Sequence, residues 1–200
     1  MKVALFGTSA DPPTIAHQDI IRWLALQQFD RVAIWAADNP FKAHGATLEQ
    51  RSQMLELLIK EIEPPLSQHV RVYRKLSSKR TIESLIIAQQ IWVGAEFILT
   101  VGADLIPQLP RWYQASELLT QVKLLIVPRI GSNIEKNDLQ KLVELGARIE
   151  IAPLATPIIS SSTIRNNHTT QGVSTQVATY IQQHHLYSLI DDSRDRAKLK

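Results

Sequence analysis

The chain has 200 residues, 44% of them hydrophobic, which is enough to bury the core of one domain, and no shift in composition divides it. Its 22 basic and 19 acidic residues leave a net charge of +3, too small an excess to indicate binding to a nucleic acid polymer. The absence of cysteine excludes disulfides, thiolate catalysis and cysteine-bound zinc, and it permits a reducing compartment.

From the apolar runs of the sequence we expect no targeting or membrane segment. The amino-terminal apolar run is too short for a signal peptide, and no segment approaches the roughly 18 apolar residues of a membrane span. We therefore expect a cytoplasmic protein that does not contact a membrane. A single domain is expected over residues 1–190, followed by a charged, disordered tail over 191–200.

Short apolar runs alternate with segments of helical periodicity along the whole chain. Residues 3–6 form the first run, which Gly7 closes at a tight turn, and apolar positions recur at helical spacing over 14–28. This alternation predicts an α/β fold, in which a parallel sheet is covered by helices on both faces. Further strands are predicted over 31–36, 70–73, 97–101, 123–127 and 148–151, and further helices over 48–62, 81–92, 135–145 and 174–185.

Polar residues gather in the loops that follow the predicted strands. In an open parallel sheet, ligands bind beyond the carboxyl ends of the strands. Loops 7–11, 37–44, 102–104 and 153–162 all lie at such ends. We therefore expect the functional site at this edge of the sheet.

The first of these loops has the residues of a phosphate site. Gly7 lets backbone approach a ligand, and Thr14 and His17 share one face of the opening turn of a helix, near its positive end. A histidine there can donate hydrogen bonds to phosphate oxygens. The loop lacks both the Gly-x-Gly-x-x-Gly spacing and the Walker ending. From spacing alone the simpler interpretation is a helix start capped by Asp11 or Thr14, with His17 at the surface.

A run of hydroxyls, Ser160, Ser161 and Ser162, precedes a short helical segment near the carboxyl terminus. Such a run caps free N–H groups and builds an anion pocket, and Arg165, about one turn later, can reach the same anion. By itself a serine cluster is more often a plain helix cap.

Together the two loops resemble the signatures of the nucleotidyltransferase superfamily, in the form used by nicotinate-nucleotide adenylyltransferases. Residues 7–17 resemble Gly-Thr-Phe-Asp-Pro-Pro-His-x-Gly-His, and residues 159–165 resemble Ile-Ser-Ser-Thr-x-Ile-Arg. The resemblance implies a Rossmann-like, doubly wound parallel sheet of the nucleotidyltransferase type with a carboxyl-terminal helical segment. The departures are Thr14 for the first histidine, Ala16 for the glycine, Ser162 for the threonine, and Ser9-Ala10 in the place of one residue, so that the extra residue must bulge.

Segments between the two loops resemble the same family. Residues 39–42 are similar to its Pro-x-x-Lys segment, with Arg51 in the helix that follows. Residues 80–85 are similar to Tyr-Thr-x-Asp-Thr-Leu, and residues 101–104 with Trp112 are similar to its Gly-x-Asp and downstream tryptophan. The resemblance thus runs along nearly the whole chain.

The resemblance implies an enzyme that joins nicotinate mononucleotide to the AMP part of ATP, giving nicotinate adenine dinucleotide and pyrophosphate. Such transfer depends on positioning and charge stabilisation and needs no protein nucleophile. Mg²⁺ would bridge ATP phosphate oxygens, without a dedicated protein metal site. The implied catalytic residues are His17, Thr14 and Arg165, and the implied ATP-binding residues are Gly7, Thr8, Thr14, His17, Ser160, Ser161, Ser162 and Arg165.

The resemblance also implies a site for the pyridine mononucleotide. Asp104 would bond ribose or position its loop, and Trp112 would stack on the pyridine ring. Thr81 and Ser84 would present donors to the carboxylate, and Arg80 makes this edge more basic, which favours an acid over an amide. A helix cap at Asp104, a core aromatic at Trp112 and a solvated lysine at Lys42 are the simpler interpretations. The implied residues are Lys42, Thr81, Ser84, Gly102, Asp104 and Trp112.

Several alternatives stay open from the sequence. A nicotinamide-preferring adenylyltransferase, a phosphopantetheine adenylyltransferase and a cytidylyltransferase share the first loop. The departures Thr14 and Ala16 also leave open a nucleotide-binding protein that has lost catalysis. The sequence does not decide whether the protein forms a homo-oligomer.

Overall fold

The computed structural model describes residues 1–63, 68–131 and 133–188. One parallel sheet of six strands has the order β3-β2-β1-β4-β5-β6, which confirms the predicted α/β class. The strands are β1 Lys2–Thr8, β2 Arg31–Ala36, β3 Val70–Val72, β4 Glu96–Gly102, β5 Lys123–Val127 and β6 Arg148–Ile151. The α-helices are α1 Ile15–Ala25, α2 Leu48–Lys60, α3 Thr81–Ile91, α4 Ala115–Gln121, α5 Lys136–Glu144, α6 Ser161–Asn166 and α7 Thr175–Gln183.

Helices pack on both faces of the sheet, because side chains alternate between the faces along each strand. Val3 and Leu5 of β1 belong to a core with residues of α3, α4 and α5, whereas Ala4 and Phe6 belong to a core with residues of α1, α2 and α7. This explains why the strands are apolar runs without polar alternation.

Several element bounds differ from those predicted. β1 continues through Gly7 to Thr8, because both residues keep their pairing with β2. α1 ends at Ala25 instead of residue 28, and Leu26 beyond it is 77% exposed, so an apolar residue there does not mark a buried helix face. α4 was not predicted, since seven residues are too few for a clear period. The predicted tail, 191–200, lies outside the described residues.

The strand order reverses direction between β1 and β4. The chain runs from β1 outward to β2 and β3, and then returns to place β4 on the other side of β1. The loops that follow β1 and β4 therefore diverge and leave a crevice at the carboxyl edge of the sheet. This is the edge at which the sequence predicts the site.

Candidate active site

A cleft of about 570 Å³ opens at the carboxyl edge of the sheet, over the ends of β1 and β4. Residues from both ends of the chain meet in it, as predicted. The predicted site residues that line it are Gly7, Thr8, His17, Lys42, Thr81, Ser84, Gly102, Asp104, Trp112, Ser160, Ser161, Ser162 and Arg165.

The start of α1 fixes the orientation of the His17 ring. Thr14 is the N-cap residue, and its backbone N–H donates to Nδ1 of His17 at 3.0 Å. Because a backbone N–H can only donate, we assign the proton of the neutral ring to Nε2. Nε2 lies 2.8 Å from Oγ1 of Thr8 and donates to it. The hydroxyl hydrogen of Thr8 is thereby left to donate to a ligand in the cleft.

His17 is half-buried and uncharged at neutral pH. Its pKa is lowered from 6.5 to about 4, mainly by desolvation and further by the positive charge of Arg129, against an opposing effect of Asp104. The interpretation of His17 as a surface residue is therefore wrong. The neutral ring donates to Thr8 and carries no charge, so positive charge at the cleft comes from the neighbouring Arg129 and Arg165.

The lowered pKa of His17 predicts that stability depends on pH. Between pH 6.5 and about 4 the unfolded chain binds a proton at His17 that the folded protein excludes, so the free energy of unfolding falls as pH falls through this window. The loss is about 3 kcal/mol at most. In urea unfolding, the wild type is expected to lose more stability between pH 7 and pH 4 than His17→Gln. Equal losses in the two proteins would contradict the prediction.

Thr14 does not reach the cleft. It is fully buried, and its hydroxyl lies 2.9 Å from Nδ1 of His17. The expectation that Thr14 holds an ATP phosphate is therefore corrected to a role in positioning the His17 ring. The residue inserted in this loop is accommodated at Ala10, which is buried with a φ of +48° in the left-handed region.

Gly7 has a packing role in addition to its predicted place at the cleft. A Cβ on Gly7 would lie 2.5 Å from the buried indole of Trp35, the residue paired with it on β2. Glycine therefore lets the indole pack closely against the end of β1.

The sequence leaves two roles open for the hydroxyl run, a helix cap and an anion site, and Ser160 and Ser162 differ in which one they can fill. Ser160 is the N-cap of α6, and its Oγ accepts from the backbone N–H of Thr163 at 3.0 Å. Ser162 is exposed at the cleft, with Oγ 3.5 Å from Nη2 of Arg165. The helix-cap interpretation is thus correct for Ser160, while Ser162 and Arg165 stay available to an anion.

Two hydrogen bonds join the second loop directly to the first. The Ser161 hydroxyl donates to the carbonyl of Pro12 at 2.8 Å, and the guanidinium of Arg165 donates to the carbonyl of Asp11. These partners are 149 and 154 residues apart in sequence. The two loops therefore form one wall of the cleft.

Asp11 anchors this wall. The sequence suggests only a helix cap for it and does not predict this role. The Asp11 side chain is 2% exposed, and Oδ2 accepts from the N–H of Gly45 at 2.9 Å. Oδ1 accepts from the N–H of Ala46 at 3.1 Å and from the hydroxyl of Tyr187 at 2.8 Å, and Arg165 lies 3.6 Å from Oδ2. Burial and the adjacent carboxylate raise the pKa of Tyr187, so its hydroxyl keeps the proton that it donates.

Arg51 and Lys42 hold the first loop from the side of β2. Arg51 is 1% exposed and donates to the carbonyls of Ser9 and Ala37 at 2.8 and 2.7 Å. Lys42 is exposed and its ammonium donates to Oγ of Ser9 at 3.1 Å. Lys42 is therefore a cation held at the cleft, in contrast to the simpler interpretation of a freely solvated lysine.

Asp104 and Arg129 form a two-point ion pair at the ends of β4 and β5. Nε and Nη2 of Arg129 lie 3.2 and 3.3 Å from Oδ1 and Oδ2 of Asp104. A Cβ on Gly102 would lie 2.5 Å from Oδ1, so glycine makes room for the carboxylate. Arg129 was missed because no motif surrounds it. A charge two residues after the end of a buried strand is the signal that could have found it.

The region expected to hold the pyridine ring contains Trp112, Thr81 and Ser84. Trp112 both packs against the core and lines the cleft, so the core and stacking interpretations are compatible. Thr81 is the first residue of α3. Ser84 is 2% exposed and donates its hydroxyl hydrogen to the carbonyl of Leu76 at 2.6 Å. The expectation that Ser84 donates to a ligand is therefore corrected.

Within the described ranges, no cluster of three or more His, Asp or Glu side chains is arranged to hold a metal ion. None of the helices in those ranges has the length and apolar character needed to cross a membrane.

Comparison with known proteins places the chain among nucleotide-processing enzymes. The model of the cytidylyltransferase-like family matches residues 5–167. The "Probable nicotinate-nucleotide adenylyltransferase" of Synechocystis sp. is 45% identical, over 94% of this chain and 99% of that protein. The protein of the same name from Chlorobaculum tepidum is 30% identical, over 94% of this chain and all of that protein.

Among solved structures, the fold is similar to that of the nicotinic acid mononucleotide adenylyltransferase of Plasmodium falciparum complexed with NaAD. The TM-score is 0.79 at 18% sequence identity, and the match covers 94% of this chain and 98% of the other. The similarity confirms the Rossmann-like nucleotidyltransferase fold.

Proposed function

This chain belongs to the cytidylyltransferase-like family and, within it, to the nicotinate-nucleotide adenylyltransferases, and from this membership we propose the reaction of the cleft. The protein transfers AMP from ATP to nicotinate mononucleotide, giving nicotinate adenine dinucleotide and pyrophosphate, a step of NAD biosynthesis. The observation that carries the proposal is the single wall formed by the His17 loop and the Arg165 loop, which presents donors and positive charge to a polyphosphate.

The reaction requires alignment more than a reactive side chain. A phosphate oxygen of the mononucleotide attacks the α-phosphorus of ATP, and the bond from that phosphorus to the bridging oxygen breaks. The bonding electrons leave with pyrophosphate, so negative charge builds on the leaving group. An enzyme accelerates such a step by holding the two phosphates in line and by stabilising the developing charge.

His17 and Thr8 form the donor group of the first loop. His17 Nε2–H donates to Thr8, and this polarises the Thr8 hydroxyl toward a phosphate oxygen. Thr14 holds Nδ1 as the acceptor, so that Nε2 always carries the proton at neutral pH. Thr14 therefore acts as a positioning residue.

The second loop supplies charge for the leaving pyrophosphate. Arg165 is part-exposed at the cleft, and the Ser162 hydroxyl lies beside it. The backbone N–H groups of Ser161 and Ser162 open α6, and groups in these positions have no partner within a helix. We assign these groups to the β- and γ-phosphates of ATP.

An adenylyltransferase of this kind uses a divalent cation, which we propose is Mg²⁺. The two carboxylates in the described lining of the cleft are already paired: Asp11 accepts from three donors, and Asp104 is held by Arg129. Because both carboxylates already have partners, this lining fits an ion that is coordinated mainly by phosphate oxygens and water. When bound, Mg²⁺ neutralises phosphate charge.

We assign the mononucleotide to the half of the cleft between β4, α3 and Trp112. The Asp104 carboxylate can accept from ribose hydroxyls while Arg129 keeps it in place. The indole of Trp112 offers a flat face to the pyridine ring. Thr81, at the amino terminus of α3, presents donors to the carboxylate.

Release of pyrophosphate tests the proposed function. The protein is mixed with ATP and Mg²⁺ and given nicotinate mononucleotide or nicotinamide mononucleotide in parallel reactions. Pyrophosphate is expected with nicotinate mononucleotide, at a higher kcat/KM than with the amide. Binding of ATP without release of pyrophosphate in either reaction would show instead a nucleotide-binding protein without catalysis.

Replacing Arg165 by methionine is expected to weaken the use of ATP. Hydrogen bonds to charged groups contribute about 1.5–3 kcal/mol, so kcat/KM for ATP should fall by about 10- to 100-fold. Arg165→Lys keeps the charge and should recover part of the loss. Arg148→Met, at the exposed start of β6, removes the same charge away from the cleft and should leave kcat/KM unchanged. Equal values for Arg165→Met and Arg148→Met would remove Arg165 from the ATP site.

A further inference from the structure

Arg80 is held against two aromatic rings at the mouth of the cleft. Its Cζ lies 5.5 Å from the ring centroid of Phe41 and 4.6 Å from that of Tyr113. All three residues line the cleft, yet the rings are 79% and 53% exposed. Two exposed rings that contact one cation in a cleft indicate a binding surface more than a packing arrangement.

The charge of Arg80 is not compensated within the described part of the chain. None of the ion pairs found there involves Arg80, whereas Arg129 and Arg165 at the same cleft are both paired with carboxylates. Contact with a ring does not use up the N–H donors of a guanidinium, and no hydrogen bond from the Arg80 side chain is found in the described part of the chain. Arg80 therefore presents charge-assisted donors to an anion that enters the cleft.

The position of Arg80 identifies the part of the substrate that it meets. It directly precedes Thr81, the first residue of α3, and its ring partner Tyr113 directly follows Trp112. Trp112 is the residue that we assign to the pyridine ring. We propose that Arg80 is a specificity-determining residue, which selects a pyridine mononucleotide bearing a ring carboxylate over one bearing an amide. The proposal rests on the proposed function and concerns the substrate end of the same cleft.

The chemistry of the two substituents explains the selection. A carboxylate accepts two parallel N–H···O bonds from a guanidinium and neutralises its charge. An amide is uncharged, and its NH₂ group meets the N–H donors of Arg80 where a carboxylate oxygen would accept from them. One of the two hydrogen bonds is therefore lost. Discrimination of about 10- to 100-fold in kcat/KM is expected from one such charged contact.

Phe41 and Tyr113 contribute by holding the guanidinium in place before the substrate arrives. A long side chain that is already ordered loses less freedom when it binds its ligand. The rings thus form part of the selection although neither needs to contact the carboxylate. Removing them while keeping Arg80 is expected to reduce the discrimination without abolishing it.

The experiment measures discrimination by turnover and by binding. For each protein, kcat/KM is determined with nicotinate and with nicotinamide mononucleotide at saturating ATP, and calorimetry gives Kd for both. The proteins are the wild type, Arg80→Met, Arg80→Lys and the double variant Phe41→Leu/Tyr113→Leu. Lys75→Met is the matched control, because Lys75 is an exposed cation five residues earlier that does not line the cleft.

Arg80→Met is expected to lower kcat/KM for the acid by about 10- to 100-fold and to change that for the amide by less than about threefold. The acid-to-amide ratio should fall partly in Arg80→Lys and in the double variant, and not at all in Lys75→Met. Thermal unfolding identifies any variant that has lost its fold. If Arg80→Met does not fold, the acid-to-amide ratio of Arg80→Lys is compared with that of the wild type instead.

An unchanged acid-to-amide ratio in Arg80→Met, in turnover or in Kd, would overturn the inference while leaving the proposed function intact. So would an equal loss for both substrates. Absence of pyrophosphate from the wild type with either mononucleotide would instead contradict the proposed function. The ratio of the two Kd values would still decide whether Arg80 selects the carboxylate.

Discussion

Replacing His17 by alanine is expected to lower kcat by about 100- to 1,000-fold, the cost of removing one donor that acts on charge developing in a transition state. The imidazole is oriented by the Thr14 N–H at 3.0 Å and acts on Thr8 at 2.8 Å, so no neighbouring group replaces its Nε2–H. The free energy of unfolding should fall by about 1 kcal/mol, because the N–H of Thr14 loses its acceptor at the start of α1.

Steady-state release of pyrophosphate and urea unfolding check the two parts of this prediction. His17→Gln, whose amide can place an N–H near the position of Nε2, should recover part of kcat. His184→Ala is the matched control, because His184 follows α7, has its ring centroid 4.1 Å from that of Tyr180 and does not line the cleft. A kcat for His17→Ala close to that of the control would remove His17 from the reaction.

Replacing Asp11 by alanine is expected to have the largest effect on stability, a loss of about 3–5 kcal/mol from the free energy of unfolding. The change leaves the N–H groups of Gly45 and Ala46 and the hydroxyl of Tyr187 without an acceptor in a buried site. It also removes the carboxylate partner of Arg165. Since domains are stable by only about 5–15 kcal/mol, the variant should be near its limit of folding.

Asp11→Asn allows activity to be measured in a folded protein. Asparagine keeps the shape but turns an NH₂ toward one of the backbone donors, so a loss of about 2 kcal/mol is expected. kcat should fall as well, because Asp11 belongs to the first loop of the cleft wall and contacts Arg165 of the second. Tyr187→Phe removes one of the bonds and should lose about 1 kcal/mol.

Asp19→Asn is the matched control for Asp11, since its ion pair with Arg22 on the exposed face of α1 should contribute less than about 1 kcal/mol. Urea unfolding of all four variants gives the comparison. Asp11→Asn as stable as Asp19→Asn would show that the Asp11 contacts do not hold the wall of the cleft together.

The sequence by itself was sufficient for the six strands, for every helix except α4, and for the location of the cleft. Apolar runs and helical spacing are local properties, and the elements that they predict differ from the observed ones mainly at their ends. A glycine and a hydroxyl at the end of β1, a histidine after it, and serines with Arg165 before and in α6 are also local patterns. Because parallel strands all end at one edge, these patterns place the two loops at the same site.

The tertiary structure alone decided what the polar side chains contact. The local sequence predicts only a helix cap at Asp11, yet its hydrogen-bond partners, Gly45, Ala46 and Tyr187, lie 34, 35 and 176 residues away. Arg129 has no motif, and it becomes a site residue only because β4 and β5 are neighbours in the sheet. The charge state of His17 likewise depends on burial and on Arg129. The period of a sequence is set by local backbone geometry, whereas burial, charge and hydrogen-bond partners are set by which distant segments the packed sheet brings together.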